Sequence, residues 1–279
     1  MLSDANLQNA FRYFSVPDEG FYAHMLRCAA AIREDPRACG VFSAARAALF
    51  GGEIICRDAI AALQEQLCGD SAPTGITSLL LLTSYDALER KATVHHLSGY
   101  DLWFAKDRIQ RIARGPWRRG TKNVWYELFL WCADLANGNE PFCGSLIFQR
   151  YSDRLVHIHI PPHGDLSPDM VRQSIAMAPA MLRWRFGLEQ WVTVCESWLL
   201  SPEIRALAPR GSNIARFSDF FTVTPGESCL DSVLDIVFHA GAETDFHRLP
   251  ENTTLQRAVK QHLLSGGSLR IGNGILQDG

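Results

Sequence analysis

The sequence lacks any long hydrophobic run. Its most apolar segment, Leu79 to Leu82 with its neighbours, is far shorter than the roughly 20 residues that a membrane-spanning helix requires. The N-terminal residues contain no basic segment followed by an apolar one, which argues against a secretory signal peptide. Repeats and low-complexity segments are absent as well, so we expect a globular protein without a membrane span.

The sequence also lacks a strong net charge. Its 27 Lys and Arg residues are nearly balanced by 30 Asp and Glu residues, which gives a formal net charge of −3. No overall field therefore attracts nucleic acid or an anionic membrane, and we expect neither as a partner. The basic stretch 108–122 is a local exception: it is either a solvated helix end and loop, or a surface for a phosphate-rich donor or an acidic carrier protein.

None of the eight cysteines has C-x-x-C spacing, which argues against a zinc ribbon or a thioredoxin-like site. A chain of 279 residues can bury a core without disulfides, so we expect reduced thiols and a cytoplasmic location. His157 and His159 alternate along one predicted strand and could share one face of it. A metal would need a third ligand that the sequence does not supply, so no metal site is expected.

The sequence pattern changes near residue 140. Residues 1 to about 135 show mainly helical periodicity, for example at Phe21, Met25 and Ala29. The second half predicts the order β, β, α, β, α, β, β, α, β; its strands are 145–151, 154–160, 190–199, 217–224, 233–238 and 269–276. We therefore predict an α/β (α+β) fold, with a helical N-terminal domain (1–140) packed on a mixed twisted sheet flanked by helices (141–279).

The segment between the second and third of these strands predicts a crossover helix. Ser167 has the form of an N-cap, Pro168 of the first helical residue, and the pattern continues to about residue 186. A strand, a helix of this length and another strand imply parallel neighbours, 154–160 and 191–199. The loop 163–167 could hold phosphates at the helix N-terminus, although Asp165 is unfavourable there and most helix starts bind nothing.

The third strand of the second half ends in Cys195-Glu196-Ser197-Trp198, where several types of chemistry are possible. Glu196 late in an apolar strand is either a general base with a raised pKa or the structural partner of an arginine or a backbone donor. His159 is either a structural histidine or an acid/base or substrate-orienting group. Cys195 is either a buried, inert thiol or a nucleophile.

Several segments together resemble one known family, the GNAT-like N-acyltransferases, in which an all-helical N-acyltransferase N-terminal domain precedes a GNAT-like C-terminal domain. The resemblance covers about residues 125–276. It rests on H-I-P at 159–161, L-S-P-D at 166–169, Ser174, C-E-S-W-L-L-S-P at 195–202, S-N-I at 212–214 with Phe217, L-Q-R-A at 255–258 and the glycines at 266–267.

The sequence departs from the family pattern at two places. Glu196 stands where the family typically has histidine, and the segment 144–148 lacks the arginine of the family's G-R-L-Q-F. Glutamate can still accept a proton, but its tuning must differ from that of histidine. The departures imply a divergent subfamily with another donor or acceptor.

The resemblance implies a GNAT-like sheet whose strands 154–160 and 191–199 splay apart to admit a pantetheine arm. It implies acyl-CoA or an acyl carrier protein as co-substrate, no tightly bound cofactor, and a small amine or peptide as acceptor. Some members resemble maturases that acylate ribosomal peptides, which points to a Lys or Orn side chain or an amino group, with a fatty acyl group transferred in natural-product biosynthesis.

The expected site residues follow from this resemblance and from the strand and helix positions. We expect Glu196 to be the base, His159 to assist, and Ser197 and Asn213 to orient the thioester or the leaving thiol. A backbone N–H near Trp198 would stabilise the oxyanion. The expected donor-binding residues are His163, Gly164, Leu166, Ser167, Trp198 and Asn213. Two alternatives stay open: a non-catalytic acyl-carrier or peptide-binding module, and a thioester hydrolase that uses Cys195.

Overall fold

A computed structural model describes residues 2–97, 99–161, 164–241 and 244–277. The chain divides into two compact units, Met1–Pro141 and Phe142–Gly279. This division falls one residue after the predicted boundary at 140, and the domain limits themselves stay a prediction.

The first unit is helical, as the sequence predicts. The apolar residues that recur at helical spacing are buried: Phe21, Met25 and Ala29 all lie on the buried face of the second helix. The most apolar run of the sequence forms the fifth helix, in which every residue is buried. The described helices are α1 (Asp4–Tyr13), α2 (Glu19–Glu34), α3 (Pro36–Phe50), α4 (Arg57–Cys68), α5 (Ile76–Leu82), α6 (Tyr85–Val94), α7 (Gly99–Ala113), α8 (Gly115–Arg119) and α9 (Tyr126–Ala136).

The second unit combines a six-stranded sheet with helices. The strands are β1 (Phe142–Cys143), β2 (Leu146–Ser152), β3 (Leu155–His159), β4 (Val192–Ser197), β5 (Phe221–Ser228) and β6 (Arg270–Leu276). The helices are α10 (Pro168–Phe186), α11 (Pro202–Leu207), α12 (Asn213–Phe217), α13 (Leu230–Phe238) and α14 (Thr254–Leu264), with short 3-10 helices at Trp198–Leu200, Ser218–Phe220 and Phe246–Arg248.

The sheet is mixed, and its strand order is β1-β2-β3-β4-β6-β5. β3 and β4 are parallel, and the other neighbouring strands of the sheet are antiparallel. The parallel pair is joined by α10, the crossover helix that the sequence predicts, which begins after Ser167 and ends at Gly187 with φ +65°. The predicted fold class is confirmed: it is α+β, with a helical first half and a mixed sheet with helices in the second half.

One predicted strand is wrong. Residues 233–238 are rich in β-branched and aromatic side chains, which favours a strand in isolation, but they belong to α13. Val233, Leu234 and Phe238 share one helical face and are buried in a cluster with Val259 and Leu263 of α14. Burial against the neighbouring helix therefore outweighs the local preference for a strand.

The predicted strand 217–224 starts later than expected, at Phe221, because Phe217 ends α12 and residues 218–220 form a 3-10 helix. A capping box starts α14: the Thr253 hydroxyl accepts from the Gln256 N–H, and the Gln256 side chain accepts from the Thr253 N–H.

Two motif residues of the sequence fix the turn between β1 and β2. The Ser174 hydroxyl, on the buried face of α10, donates to the Met170 carbonyl and accepts from the Ser145 N–H at 2.9 Å. Gly144 precedes this contact with φ +62°, and a Cβ there would collide with the Ser174 Oγ. A glycine at position 144 therefore lets the turn approach the helix that crosses between β3 and β4.

Gly144→Ala is expected to destabilise the protein more than Gly187→Ala does. Both glycines have positive φ, so both substitutions carry a similar backbone penalty of roughly 1–2 kcal/mol. At Gly187 a new Cβ meets no atom within 4 Å, whereas at Gly144 it displaces Ser174. The extra loss should be about 1–3 kcal/mol, measured as the difference in free energy of unfolding in urea. Equal losses of unfolding free energy in the two variants would show that the close approach of Gly144 to Ser174 does not contribute to stability.

Candidate active site

The parallel strands β3 and β4 pair over only part of their length. Their register joins Leu155 to Val192, Val156 to Thr193 and His157 to Val194, and no further pair between them follows. β3 nevertheless continues to His159, where it pairs with β2, and β4 continues to residue 197, where it pairs with β6. The two strands therefore part after His157 and Val194 and leave a gap at their carboxyl ends.

His159 and Glu196 stand on the two sides of this gap. If the register continued by two residues beyond His157 and Val194, it would set His159 opposite Glu196. Side chains alternate along a strand, so both residues face the side of the sheet on which His157 and Val194 lie. The structure thus brings the predicted base and its predicted assistant to one face and one level of the sheet.

Glu196 is exposed, although it lies late in an otherwise apolar strand. Val192 lies on the same face of β4 within the paired stretch and is 50% exposed as well, so this face of the strand is open to solvent. The cross-strand neighbour of Glu196 on β6 is Asn273, which in turn pairs with Thr224 of β5. Glu196, Asn273 and Thr224 are all exposed, so an accessible polar row crosses the sheet beside the gap.

His159 is held by β2. Its Nε2 lies 2.8 Å from Oε1 of Gln149, a buried residue, which leaves Nδ1 for another partner when Nε2 carries the proton. Its ring stacks 6.3 Å from that of His157, which stacks 4.9 Å from Tyr151. Burial, and secondarily the charge of His157, lowers the pKa of His159 from 6.5 to about 4. The imidazole is therefore neutral near pH 7.

Ser197 does not join Glu196 and His159. It is the next residue on β4, so its side chain points to the opposite face. Its hydroxyl accepts from the Leu199 N–H at 3.2 Å and so caps the 3-10 helix that follows the strand. This contact gives Ser197 a structural task, and an orienting role for it stays a prediction.

The predicted strand 190–199 includes Trp198, but β4 ends at Ser197. Trp198 begins the 3-10 helix, and its side chain packs against both apolar clusters of this unit. The 3-10 helix lies so close to β6 that a Cβ at Gly272 would collide with the Leu200 carbonyl, so the bend requires a glycine there. The chain therefore turns away from the sheet at Trp198, directly after Glu196 and Ser197.

The predicted phosphate loop leads into α10. Gly164 lies where a Cβ would come 2.8 Å from the Ser145 carbonyl, and Leu166 packs against the core under the sheet. Ser167 precedes the helix, but its side chain makes no capping hydrogen bond to the first-turn N–H groups. The Asp165 carboxylate accepts from the Ser167 N–H at 2.8 Å, so a negative charge already stands beside this helix end. His163 lies outside the described residues.

Asn213 belongs to a different part of the unit. It is the first residue of α12, its side chain is exposed, and the helix is capped by Ser212, whose hydroxyl accepts from the Ala215 N–H. α12 packs against α10 and α11. The role of Asn213 toward a thioester stays a prediction.

Cys195 does not have the properties of a nucleophile. It is 1% exposed and belongs to the apolar core between the sheet and α10. Burial, and secondarily the charge of Glu196, raises the pKa of the Cys195 thiol to about 12. Since the thiolate is the reactive form, this environment disfavours the thioester hydrolase that uses Cys195.

A family model described as the GNAT-like C-terminal domain matches residues 101–276, which is 176 of the 279 residues. The chain belongs to this family. The predicted membership of the GNAT-like acyltransferases is therefore confirmed, and the protein is an acyltransferase by family and fold.

Solved structures of acyltransferases share the fold of this GNAT-like chain. An acyltransferase in complex with decanoyl-CoA is 19% identical, with a TM-score of 0.68 over 97% of this chain and 86% of that one. An acyltransferase in complex with CoA and 10C-Teicoplanin is 20% identical, with a TM-score of 0.65 over 97% and 88%. An acyltransferase mutant in complex with octanoyl-CoA is 21% identical, with a TM-score of 0.63 over 98% and 88%. No curated protein matches the chain.

Two further features concern the described residues of this GNAT-like protein. None of their helices is both long and apolar enough to cross a bilayer. They contain no cluster of three or more His, Cys, Asp or Glu side chains suited to a metal ion.

Sequence reasoning missed Gln149 and Asn273. Gln149 fixes the ring of His159, and Asn273 lies across from Glu196. Gln149 faces the same side of the sheet as His157 because the two residues pair across β2 and β3. Which histidine Gln149 contacts depends on this register, which the sequence does not reveal. Asn273 stands between two glycines in a strand whose neighbour no local pattern reveals.

The lowered pKa of His159 predicts a loss of stability in acid. The unfolded chain binds a proton on this residue near pH 6.5 and the folded chain only near pH 4. The contribution of neutral His159 is therefore complete above pH 6.5 and is lost as the pH falls toward 4. His159→Gln should flatten the pH dependence of urea unfolding over this window by up to about 3 kcal/mol. An NMR titration that places the His159 pKa at 6 or above would contradict the prediction.

Proposed function

We propose that this protein transfers an acyl group from a pantetheine thioester to an amine, with Glu196 as the general base. The observation that carries the proposal is the separation of β3 and β4 after His157 and Val194, with the exposed Glu196 beside the gap. A carboxylate that solvent and substrate can reach is able to accept a proton from an incoming amine.

The gap suits a pantetheine arm because the facing strand edges carry backbone groups that do not pair with each other. β3 beyond His157 bonds to β2, and β4 beyond Val194 bonds to β6, so their inner edges face the gap. The two amides of a pantetheine arm can bond to such edges as an added strand does. The N-terminus of α10, with Gly164, Leu166 and Ser167 before it, would then hold the donor phosphates.

The chemistry is a direct transfer without a covalent enzyme intermediate. The amine nitrogen gives a proton to Glu196 and attacks the thioester carbonyl carbon, so that an N–C bond forms. The C–S bond then breaks, and the thiolate leaves and takes up a proton. Neutral His159, on the same face, can orient the amine or relay the proton, while a backbone N–H near Trp198 stabilises the oxyanion.

The proposed donor is an acyl-CoA, with an acyl carrier protein as a second source of the same thioester. The proposal is supported by three solved relatives whose complexes contain decanoyl-CoA, CoA or octanoyl-CoA. For the acceptor we propose an amine on a natural product, either a Lys or Orn side chain of a ribosomal peptide or an amine on a compound comparable to teicoplanin, which a relative binds. We place the reaction in the cytoplasm, where the eight free thiols stay reduced.

Glu196→Gln should lower kcat for amine acylation by about 100-fold or more, because the amide cannot accept the proton. Turnover is measured as thiol release from octanoyl-CoA with an amine pool, and the acylated products are identified by mass spectrometry. The matched control is Glu189→Gln, which removes the same charge from an exposed position just before β4.

Unchanged turnover in both Glu196→Gln and His159→Ala would refute the catalytic assignment. Tight binding of octanoyl-CoA by the wild type without turnover against any amine would instead identify a non-catalytic binding module.

A further inference from the structure

The basic stretch 108–122 separates into two parts. Its first part contains three arginines, of which Arg108 lies over the Phe104 ring, 5.3 Å from the centroid. The charges of the other two are neutralised: Arg111 pairs with Asp107 at 2.7 Å, and Arg114 pairs with Asp18 at 3.2 Å. Both arginines thus stabilise the helical unit. In the second part, Arg118 and Arg119 are exposed and form no ion pair with any residue that the structure describes.

A partly exposed tryptophan lies beside these free cations. Trp117, 39% exposed, stacks on His24 of α2 with ring centroids 4.9 Å apart. Arg27 follows His24 by three residues on α2, a spacing that brings two side chains side by side on a helix surface. Arg27 is itself exposed. Two elements of the first unit therefore meet at Trp117.

The surface is presented by a fixed backbone. α8 contains Pro116 in its first turn, and Gly120, with φ +66°, caps its C-terminus. The chain that follows is anchored to α5: the Lys122 carbonyl accepts from the Gly75 N–H at 3.0 Å, and the Val124 N–H donates to the Thr77 hydroxyl at 2.8 Å. The exposed side chains therefore extend from an ordered element rather than from a loose loop.

We propose that this surface, which we name the α8 patch (Arg27, Trp117, Arg118, Arg119 and Lys122), docks an acidic acyl carrier protein. The proposal rests on the proposed function, since a carrier protein presents the same pantetheine thioester as CoA. Tryptophan and arginine are the residues that most often carry binding energy at protein interfaces, and exposed cations attract an acidic surface. Lys122 is exposed and keeps its charge, while its Nζ donates to the Asp70 carbonyl at 2.7 Å.

Nucleic acid is the less suitable occupant. The formal net charge of the chain is −3 and its isoelectric point is about 6.3, whereas nucleic-acid-binding domains are strongly basic over one face. A small cationic patch around an aromatic side chain on an otherwise acidic protein fits a compact acidic partner better.

The test compares two donors with the same acyl group, octanoyl-CoA and an octanoyl-loaded bacterial acyl carrier protein. The Arg118→Glu/Arg119→Glu variant should lower kcat/KM for the carrier donor at least about 10-fold, and this loss should shrink in high salt. Its kcat/KM for octanoyl-CoA should stay within about twofold of the wild type, because the patch contacts the carrier and not the thioester. The matched control, Arg37→Glu/Arg210→Glu, makes the same change in net charge at two other exposed arginines and should affect neither donor.

Two kinetic outcomes would overturn the proposal: a wild-type enzyme that uses octanoyl-CoA but not the carrier donor, or a patch variant that uses the carrier donor as well as the control does.

If the wild type uses neither donor, the proposed function fails, and the patch is judged by direct binding of the unloaded carrier protein. Binding that the patch variant loses still supports the docking surface. Equal binding by wild type and patch variant, no binding at all, or a preference of the wild type for single-stranded DNA would overturn it.

Discussion

The candidate site depends on one constraint, the early end of the hydrogen-bonded pairing between β3 and β4. Each strand keeps its outer partner, so the sheet stays intact while its two central strands separate after His157 and Val194. The cost of unpaired backbone groups is limited to the facing edges of the gap, which solvent or a substrate can satisfy. The crossover helix α10 starts at the same ends of the strands and adds its free N–H groups there.

Side chains alternate along β4, so the strand places its structural residues on one face and its proposed general base on the other. Cys195 and Ser197 point to one face, where the first is buried in the core and the second caps the turn to the 3-10 helix. Glu196 points to the other face and is exposed beside Asn273. A shift of one residue would place Cys195 at the gap and bury the carboxylate. The register of β4 on β6 therefore decides which chemistry the strand can support.

The glycines of the second unit set how closely its elements approach each other. Gly144 admits Ser174 to the turn between β1 and β2, and Gly272 lets the 3-10 helix after β4 lie against β6. Both contacts flank the gap, one on the side of β2 and the other on the side of β4. Ser174 and Ser197 thus both support the geometry of the strands, and a role for Ser197 toward the substrate stays a prediction.

By itself, the sequence determined the helical first half, the crossover helix with its ends at Ser167 and Gly187, and the family, because these follow from local periodicity, capping residues and short motifs. Only the tertiary structure decided that residues 233–238 are helical and that Glu196 is exposed. Both outcomes depend on parts of the chain that are distant in sequence: α14 packs against residues 233–238, whereas the face of β4 that contains Glu196 and Val192 stays exposed. No local pattern encodes such partners, since burial is set by what the rest of the chain places beside a residue.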